Sequence, residues 1–199
     1  MMKLFWAPQS RAMRALWMME EIGAPYERVL IDIRSGAQDR PEYRAINPLG
    51  KVPAIEDDGV VVSESGAVIA YLADRYPETG LAPKIGERDR GPYLKWLFYS
   101  PLIEFAILEK FAKLELPKVT AGWGSHALVV GALDDVLQKG PWLLGERFSA
   151  ADVLIGSDIW YAVEGFKMIE KRPSFAAYIE RCLARPAMQR AMKIGETAA

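Results

Sequence analysis

The chain has 199 residues, 51% of them hydrophobic and 26% charged, a globular balance with enough apolar side chain for one large domain or two small ones. Its 25 basic and 26 acidic residues leave a formal net charge of -1, so composition supplies no bulk attraction to nucleic acid or to an anionic membrane. No apolar run approaches the roughly 20 residues that cross a bilayer. A single cysteine, Cys182, excludes an internal disulfide and a Cys-x-x-Cys redox pair, and with a single histidine, His126, it argues against a metal site.

The first segment, MMKLFWAPQSR, has too short an apolar stretch and meets Pro8 too early for a signal peptide. Lys3 to Trp6 is a short apolar run suited to a buried strand, and Pro8, Gln9 and Ser10 make a turn. Apolar residues at 12, 13, 15, 16 and 19 predict a helix over 11–22, with Gly23 placed to end it. Tyr26 to Ile33 reads as a second strand, with Val29, Ile31 and Ile33 on one face. A polar loop and a short helical turn near 41–45 follow. Two strands, 51–56 and 60–62, are joined by Asp57-Asp58-Gly59, a hairpin-type turn. Ser63 is the expected N-cap of a helix to about Tyr76.

Pro77, Gly80, Pro83 and Gly86 then mark a linker. Beyond it the pattern is helical: 87–115 with a kink or break at Pro101, a long helix over 117–139, a third over about 149–164, and two more opening at Pro173 and Pro186. Ser149 with Asp152 has capping-box spacing, and Phe148 with Val153 has hydrophobic-staple spacing.

Two segments carry possible chemistry. In Asn47-Pro48-Leu49-Gly50-Lys51-Val52-Pro53, a cis Val52-Pro53 bond would leave the Val52 N–H and C=O facing outward, where a peptide-like ligand could pair as an added strand. An ordinary trans loop proline is the other reading. In Ser63-Glu64-Ser65-Gly66, a helix opening directly after a strand offers an anion site. There the Ser65 hydroxyl could donate to a carboxylate and Glu64 accept from an ammonium; simple N-capping is the other reading.

In this order the segments resemble the glutathione transferase family. Residues 47–56 look like its NPxGxVPxL segment, Glu64-Ser65 like its Glu-Ser pair, and FSAADVLI at 148–155 like its FTxADxxL motif. The resemblance covers essentially the whole chain. It implies an α/β plus all-α protein. A thioredoxin-like glutathione-binding domain (βαβαββα) would occupy 1–76, a linker 77–87, and an all-helical C-terminal domain 88–199. Val52 and Pro53 would hold the cysteinyl backbone of glutathione and Glu64 and Ser65 its γ-glutamyl end, with Lys51 also counted among the glutathione-binding residues. The reaction implied is addition of the glutathione thiolate to a hydrophobic electrophile, in a homodimer; a reducing cytoplasm is the reading that the single Cys182 supports. A non-catalytic scaffold of the same fold is the alternative.

The family places a Tyr, Ser or Cys near the end of the first strand. Here the turn reads Phe5-Trp6-Ala7-Pro8-Gln9-Ser10-Arg11, and the serine register falls nearer Ala7 than Ser10. Ser10, the hydroxyl at the helix start, is the candidate catalytic donor or a helix cap. Arg11 is either a source of positive charge or part of an exposed face. Trp6, Tyr99 and Trp160, with Trp96, Phe98, Phe105 and Tyr161, are candidates to line the second-substrate site, or else core.

Overall fold

A computed structural model describes residues 1–117 and 119–198. The chain forms two compact units, Met1–Thr79 with Ala184–Ala199, and Gly80–Leu183. The expected division kept 88–199 together. In the structure the last helix returns to the first unit, for a reason visible in its ion pairs.

The first unit opens with β1 (Met2–Trp6), α1 (Met13–Ile22) and β2 (Tyr26–Leu30). Gly23 ends α1 at φ 74°, its N–H donating to the Met19 carbonyl. β2 stops short of the expected Ile33. The Asp32 carboxylate accepts the Arg34 and Ser35 amides, an Asx turn that outcompetes the strand. A 3-10 turn and α2 (Pro41–Arg44) lead to β3 (Ala54–Asp57) and β4 (Val60–Ser63), and α3 (Ser65–Arg75) follows. β3 opens after Pro53, which has no amide for a ladder.

The sheet order is β2-β1-β3-β4, with β1 parallel to β2 and antiparallel to β3, and β3 antiparallel to β4. This is a thioredoxin-like βαβαββα unit. Its core contains Leu4, Leu16, Trp17, Ile55, Ile69 and Leu72, each at zero exposure. The expected cap at Ser63 is corrected. Ser63 pairs with Ala54 in the β4 ladder, so Glu64 becomes the N-cap of α3.

In the second unit, Pro101 begins a new helix. α4 (Arg90–Leu97) ends and α5 (Ser100–Ala112) starts with that proline in its first turn. The expected helix over 117–139 is overturned: α6 is His126–Leu137. Lys118 lies outside the described residues. Before α6, the Trp123 indole and the His126 amide both donate to Glu109 of α5, and the Ser125 hydroxyl caps Leu128. These bonds hold the segment as turns.

α7 (Ala150–Trp160) is buried from Ala150 to Ile159, ends in one π-helical turn, and packs against α4, α5 and α8 (Pro173–Leu183). Its capping box forms as expected. Cys182 is buried in α8, and the His126 ring meets the Met168 carbonyl at 3.2 Å.

The final helix, α9 (Pro186–Thr197), belongs to the first unit and packs on α1. Arg185, just before it, makes two bonds to Glu21 at 2.5 and 2.7 Å, and Arg190 reaches Glu20 at 2.9 Å. The bidentate arginine–carboxylate fork favours this docking. No helix among the described residues is long and apolar enough to cross a membrane.

Candidate functional site

The register of the sheet gathers the candidate residues of the first unit. Phe5 pairs with Ala54, and Ala54 pairs with Ser63, so the three lie abreast across β1, β3 and β4. The antiparallel ladders then require that Trp6 and Ala7, Pro53 and Val52, and Glu64 and Ser65 all leave the sheet at the same end. Ile31 joins them, its amide bonded to the Trp6 carbonyl at 2.8 Å.

The Val52-Pro53 peptide bond is cis. Val52 is half-buried, and neither its N–H nor its C=O enters a hydrogen bond of the described strands and turns. Lys51 has an exposed side chain but an anchored carbonyl. That oxygen accepts the Tyr43 hydroxyl at 2.7 Å and the Asn47 side-chain amide at 2.8 Å. Asn47 also accepts the Leu49 amide, at 3.1 Å. Gly50 stands at φ 61°, and a Cβ there would lie 2.8 Å from the Gln38 carbonyl oxygen. Only glycine fits both the turn and that approach.

Glu64 is exposed and stands at φ 69°, ψ 121°, a costly backbone conformation for a non-glycine residue. Its carbonyl accepts the Val68 amide at 2.9 Å, so the first turn of α3 is formed while its side chain makes no cap bond. Ser65 is the first residue of that helix. The α3 N-terminus and its dipole therefore face the same end of the sheet as Val52.

Ser10 sits in the turn that follows β1. Its hydroxyl donates to the Ala7 carbonyl at 2.7 Å and accepts the Ala12 amide at 3.1 Å. Gln9, at φ 51°, is held by Arg34, whose guanidinium donates to its side-chain oxygen at 3.1 Å. Arg11 is exposed.

The candidate hydrophobic-site residues fall on different units. Trp6 is a β1 residue 3% exposed. Tyr99 and Trp160 belong to the second unit. The Tyr99 hydroxyl is 3.1 Å from the Val129 carbonyl, and Trp160 stacks obliquely on Tyr161. Trp96 is buried, and Phe98 is exposed. Among the described residues no three His, Cys, Asp or Glu side chains are grouped to hold a metal.

Sequence reasoning missed Tyr43 and Asn47 as individual contributors. An Asn-Pro step three residues ahead of a glycine was the available signal for the Asn47 turn. Nothing local marks the Tyr43 hydroxyl, because its partner lies eight residues on.

The sequence matches two domain families: the glutathione S-transferase N-terminal domain over residues 1–74 and the glutathione S-transferase C-terminal domain over 96–186. A crystal structure of a glutathione transferase from Methylococcus capsulatus is 31% identical, with a TM-score of 0.81 over 99% of this chain and 100% of that one. A glutathione transferase family member from Pseudomonas fluorescens, solved with two glutathione bound, is 25% identical, with a TM-score of 0.77 over 96% and 92%. Glutathione S-transferase GstA of Escherichia coli O157:H7 is 27% identical over 96% of this chain and 97% of its own.

Proposed function

From the premise that the chain belongs to the glutathione S-transferase family, we propose that it binds glutathione across the end of the first unit's sheet and adds the thiolate to a hydrophobic electrophile. The observation that carries this reading is the shared row Phe5, Ala54, Ser63, from which the Ala7–Arg11 turn, Val52-Pro53 and Glu64-Ser65 emerge together. The Val52 N–H and C=O suit the cysteinyl backbone as a short added strand. Ser65 at the α3 N-terminus suits the γ-glutamyl carboxylate, and exposed Glu64 its ammonium. Lys51, exposed beside Val52, adds positive charge for the ligand's negative end. The Pseudomonas structure with glutathione bound supports the same ligand class.

The chemistry needs the sulfur as thiolate. The thiol loses its proton to solvent, and the sulfur lone pair forms a bond to the electrophilic carbon. The carbon then either expels a leaving group or passes its electrons into a conjugated acceptor. A thiol with a pKa near 8.5 requires a donor and positive potential to ionise at neutral pH. In this reading Ser10 supplies the donor at the start of α1: its hydroxyl turns from the Ala7 carbonyl to the sulfur and keeps the Ala12 amide as its own donor. The exchange replaces a neutral acceptor with a charged one, which binds a hydroxyl more strongly. A cytoplasmic homodimer completes the reading, and a lone, buried Cys182 is compatible with a reducing compartment.

Ser10→Ala tests the catalytic assignment. A hydrogen bond to an ionised group is worth roughly 1.5–3 kcal/mol, so the bound thiol pKa should rise by about one to two units. Turnover at neutral pH should fall by about tenfold or more, and the deficit should shrink at high pH, where the thiolate forms unaided. Glutathione affinity should hold, because Val52, Glu64 and Ser65 remain. The N-cap of α1 is Ala12 and not Ser10, so unchanged turnover, with only the roughly 1 kcal/mol loss of the Ser10 bond to the Ala12 amide, would reduce Ser10 to a structural residue of the turn.

A further inference from the structure

We propose that Tyr43 and Asn47 are positioning residues that aim the Val52 N–H at the bound peptide, by fixing the Lys51–Val52 peptide plane from its opposite side; this rests on the glutathione reading above. The Lys51 carbonyl receives two donors, the Tyr43 hydroxyl at 2.7 Å and the Asn47 side-chain amide at 2.8 Å. In a planar trans peptide the C=O and the next N–H point to opposite sides. Holding the Lys51 oxygen against the α2 side therefore turns the Val52 N–H the other way.

Both donors are themselves immobilised. Tyr43 is 4% exposed and Asn47 1%. The Tyr43 ring lies 6.0 Å from the Phe5 ring and belongs to a cluster with Ile31, Ala54 and Val52. Burial pushes the Tyr43 hydroxyl up to about 12, so it stays protonated and able to donate through the neutral range. The Asn47 side-chain oxygen is clamped by the Leu49 amide, and the Asn47 backbone amide donates to the Tyr43 carbonyl at 2.8 Å. A chain of contacts thus runs from Phe5 on β1, through the Tyr43 ring and hydroxyl, to the one amide that a peptide ligand must meet.

Backbone groups that pair with a ligand strand need the same orientation before and after binding, since ordering a loop on binding subtracts from affinity. A lone donor would allow the peptide plane to rock about its single hydrogen bond. Two donors from different directions remove that freedom.

Tyr43→Phe keeps the ring and removes one donor. Glutathione binding is measured by titration calorimetry, kinetics with an activated aryl halide as electrophile, and stability by thermal unfolding. The glutathione Kd and KM should rise roughly threefold to tenfold, the loss expected for one neutral hydrogen bond. At saturating glutathione, kcat and the KM for the aryl halide should stay within about twofold, because no bond to the sulfur or the electrophile is touched. Asn47→Ala alone and combined with Tyr43→Phe provides the second arm. Because either donor holds part of the orientation, the double variant should lose more than either single one. A Tyr43→Phe protein that binds glutathione as tightly as the wild type overturns the inference and leaves the glutathione reading intact. A fall in kcat as large as the rise in KM, together with a lowered Tm, also overturns it, by making Tyr43 merely structural. A folded wild type that does not bind glutathione overturns the glutathione reading and this inference with it.

Discussion

Replacing Glu64 with Gly should make the protein more stable and a poorer binder of glutathione. At φ 69°, ψ 121° the residue occupies backbone that costs an L-amino acid about 1–3 kcal/mol. Glycine removes that cost and gives back up to about 1 kcal/mol through its greater freedom in the unfolded chain. The Glu64 side chain makes no cap bond to α3, so no helix-end contact is lost. The net expectation is a gain of about 1 kcal/mol, visible as a higher Tm. Binding should move the other way. A charge-assisted bond to the glutathione ammonium is worth roughly 1.5–3 kcal/mol, so the Kd should rise about tenfold to a hundredfold. Calorimetry and thermal unfolding on the same preparation read both effects. A variant with unchanged affinity removes Glu64 from the site, and one with a lowered Tm contradicts the strain argument.

Asp152→Ala should cost more stability than any substitution in the glutathione site. Its carboxylate is buried in the second unit and accepts four bonds: the Leu143 and Ser149 amides and the Tyr178 hydroxyl at 2.9 Å, and the Ser149 hydroxyl at 3.1 Å. Burial pushes the Asp152 carboxyl up to about 6, against the pull of those donors, which leaves it ionised at neutral pH. Alanine would strand two amides and a phenol in the interior and break the capping box of α7. Each stranded buried donor costs at least about 1 kcal/mol and the cap about 1, so three donors and the cap together should cost about 4 kcal/mol or more. That corresponds to a fall of about 10 °C in Tm. The first unit carries the proposed glutathione contacts, so the affinity of the folded fraction should not change. A loss below about 1 kcal/mol would contradict this account of the buried carboxylate.

What could be read from the sequence was whatever depended on near neighbours. β1, the Gly23 stop, the Asp57-Asp58-Gly59 turn and the Ser149–Asp152 box each rest on residues within a few positions of one another, and each formed. The misreadings share a different cause. Ser63 is the better N-cap by propensity, but its pairing with Ala54 across the hairpin claims it for β4 and moves the helix start onto Glu64. The apolar alternation Val29, Ile31, Ile33 extends a strand that the Asp32 side chain actually ends. The segment ahead of α6 looked helical by composition, yet Glu109, 14 and 17 residues away, takes the Trp123 and His126 donors. The return of α9 to α1 depends on Arg185 and Glu21, which are 164 residues apart.

The candidate site follows the same division. Val52-Pro53 and Glu64-Ser65 were visible as motifs because their backbone roles are written locally. The Tyr43 hydroxyl on the Lys51 carbonyl was not, because it needs the 47–51 loop folded back over α2. Ser10 could be assigned to the turn ahead of α1 from its position. Its bond to the Ala7 carbonyl depends on how the turn after β1 closes.

The most direct test of the central claim is calorimetric titration of the intact protein with glutathione and, separately, with cysteinylglycine, which keeps the peptide paired to Val52 but lacks the γ-glutamyl group. The account predicts saturable binding of glutathione and a Kd for cysteinylglycine at least about a hundredfold higher, the loss expected when the charge-assisted contacts of Glu64 and Ser65 have no partner. Equal affinity for the two ligands, or no binding of glutathione by the folded protein, would contradict it.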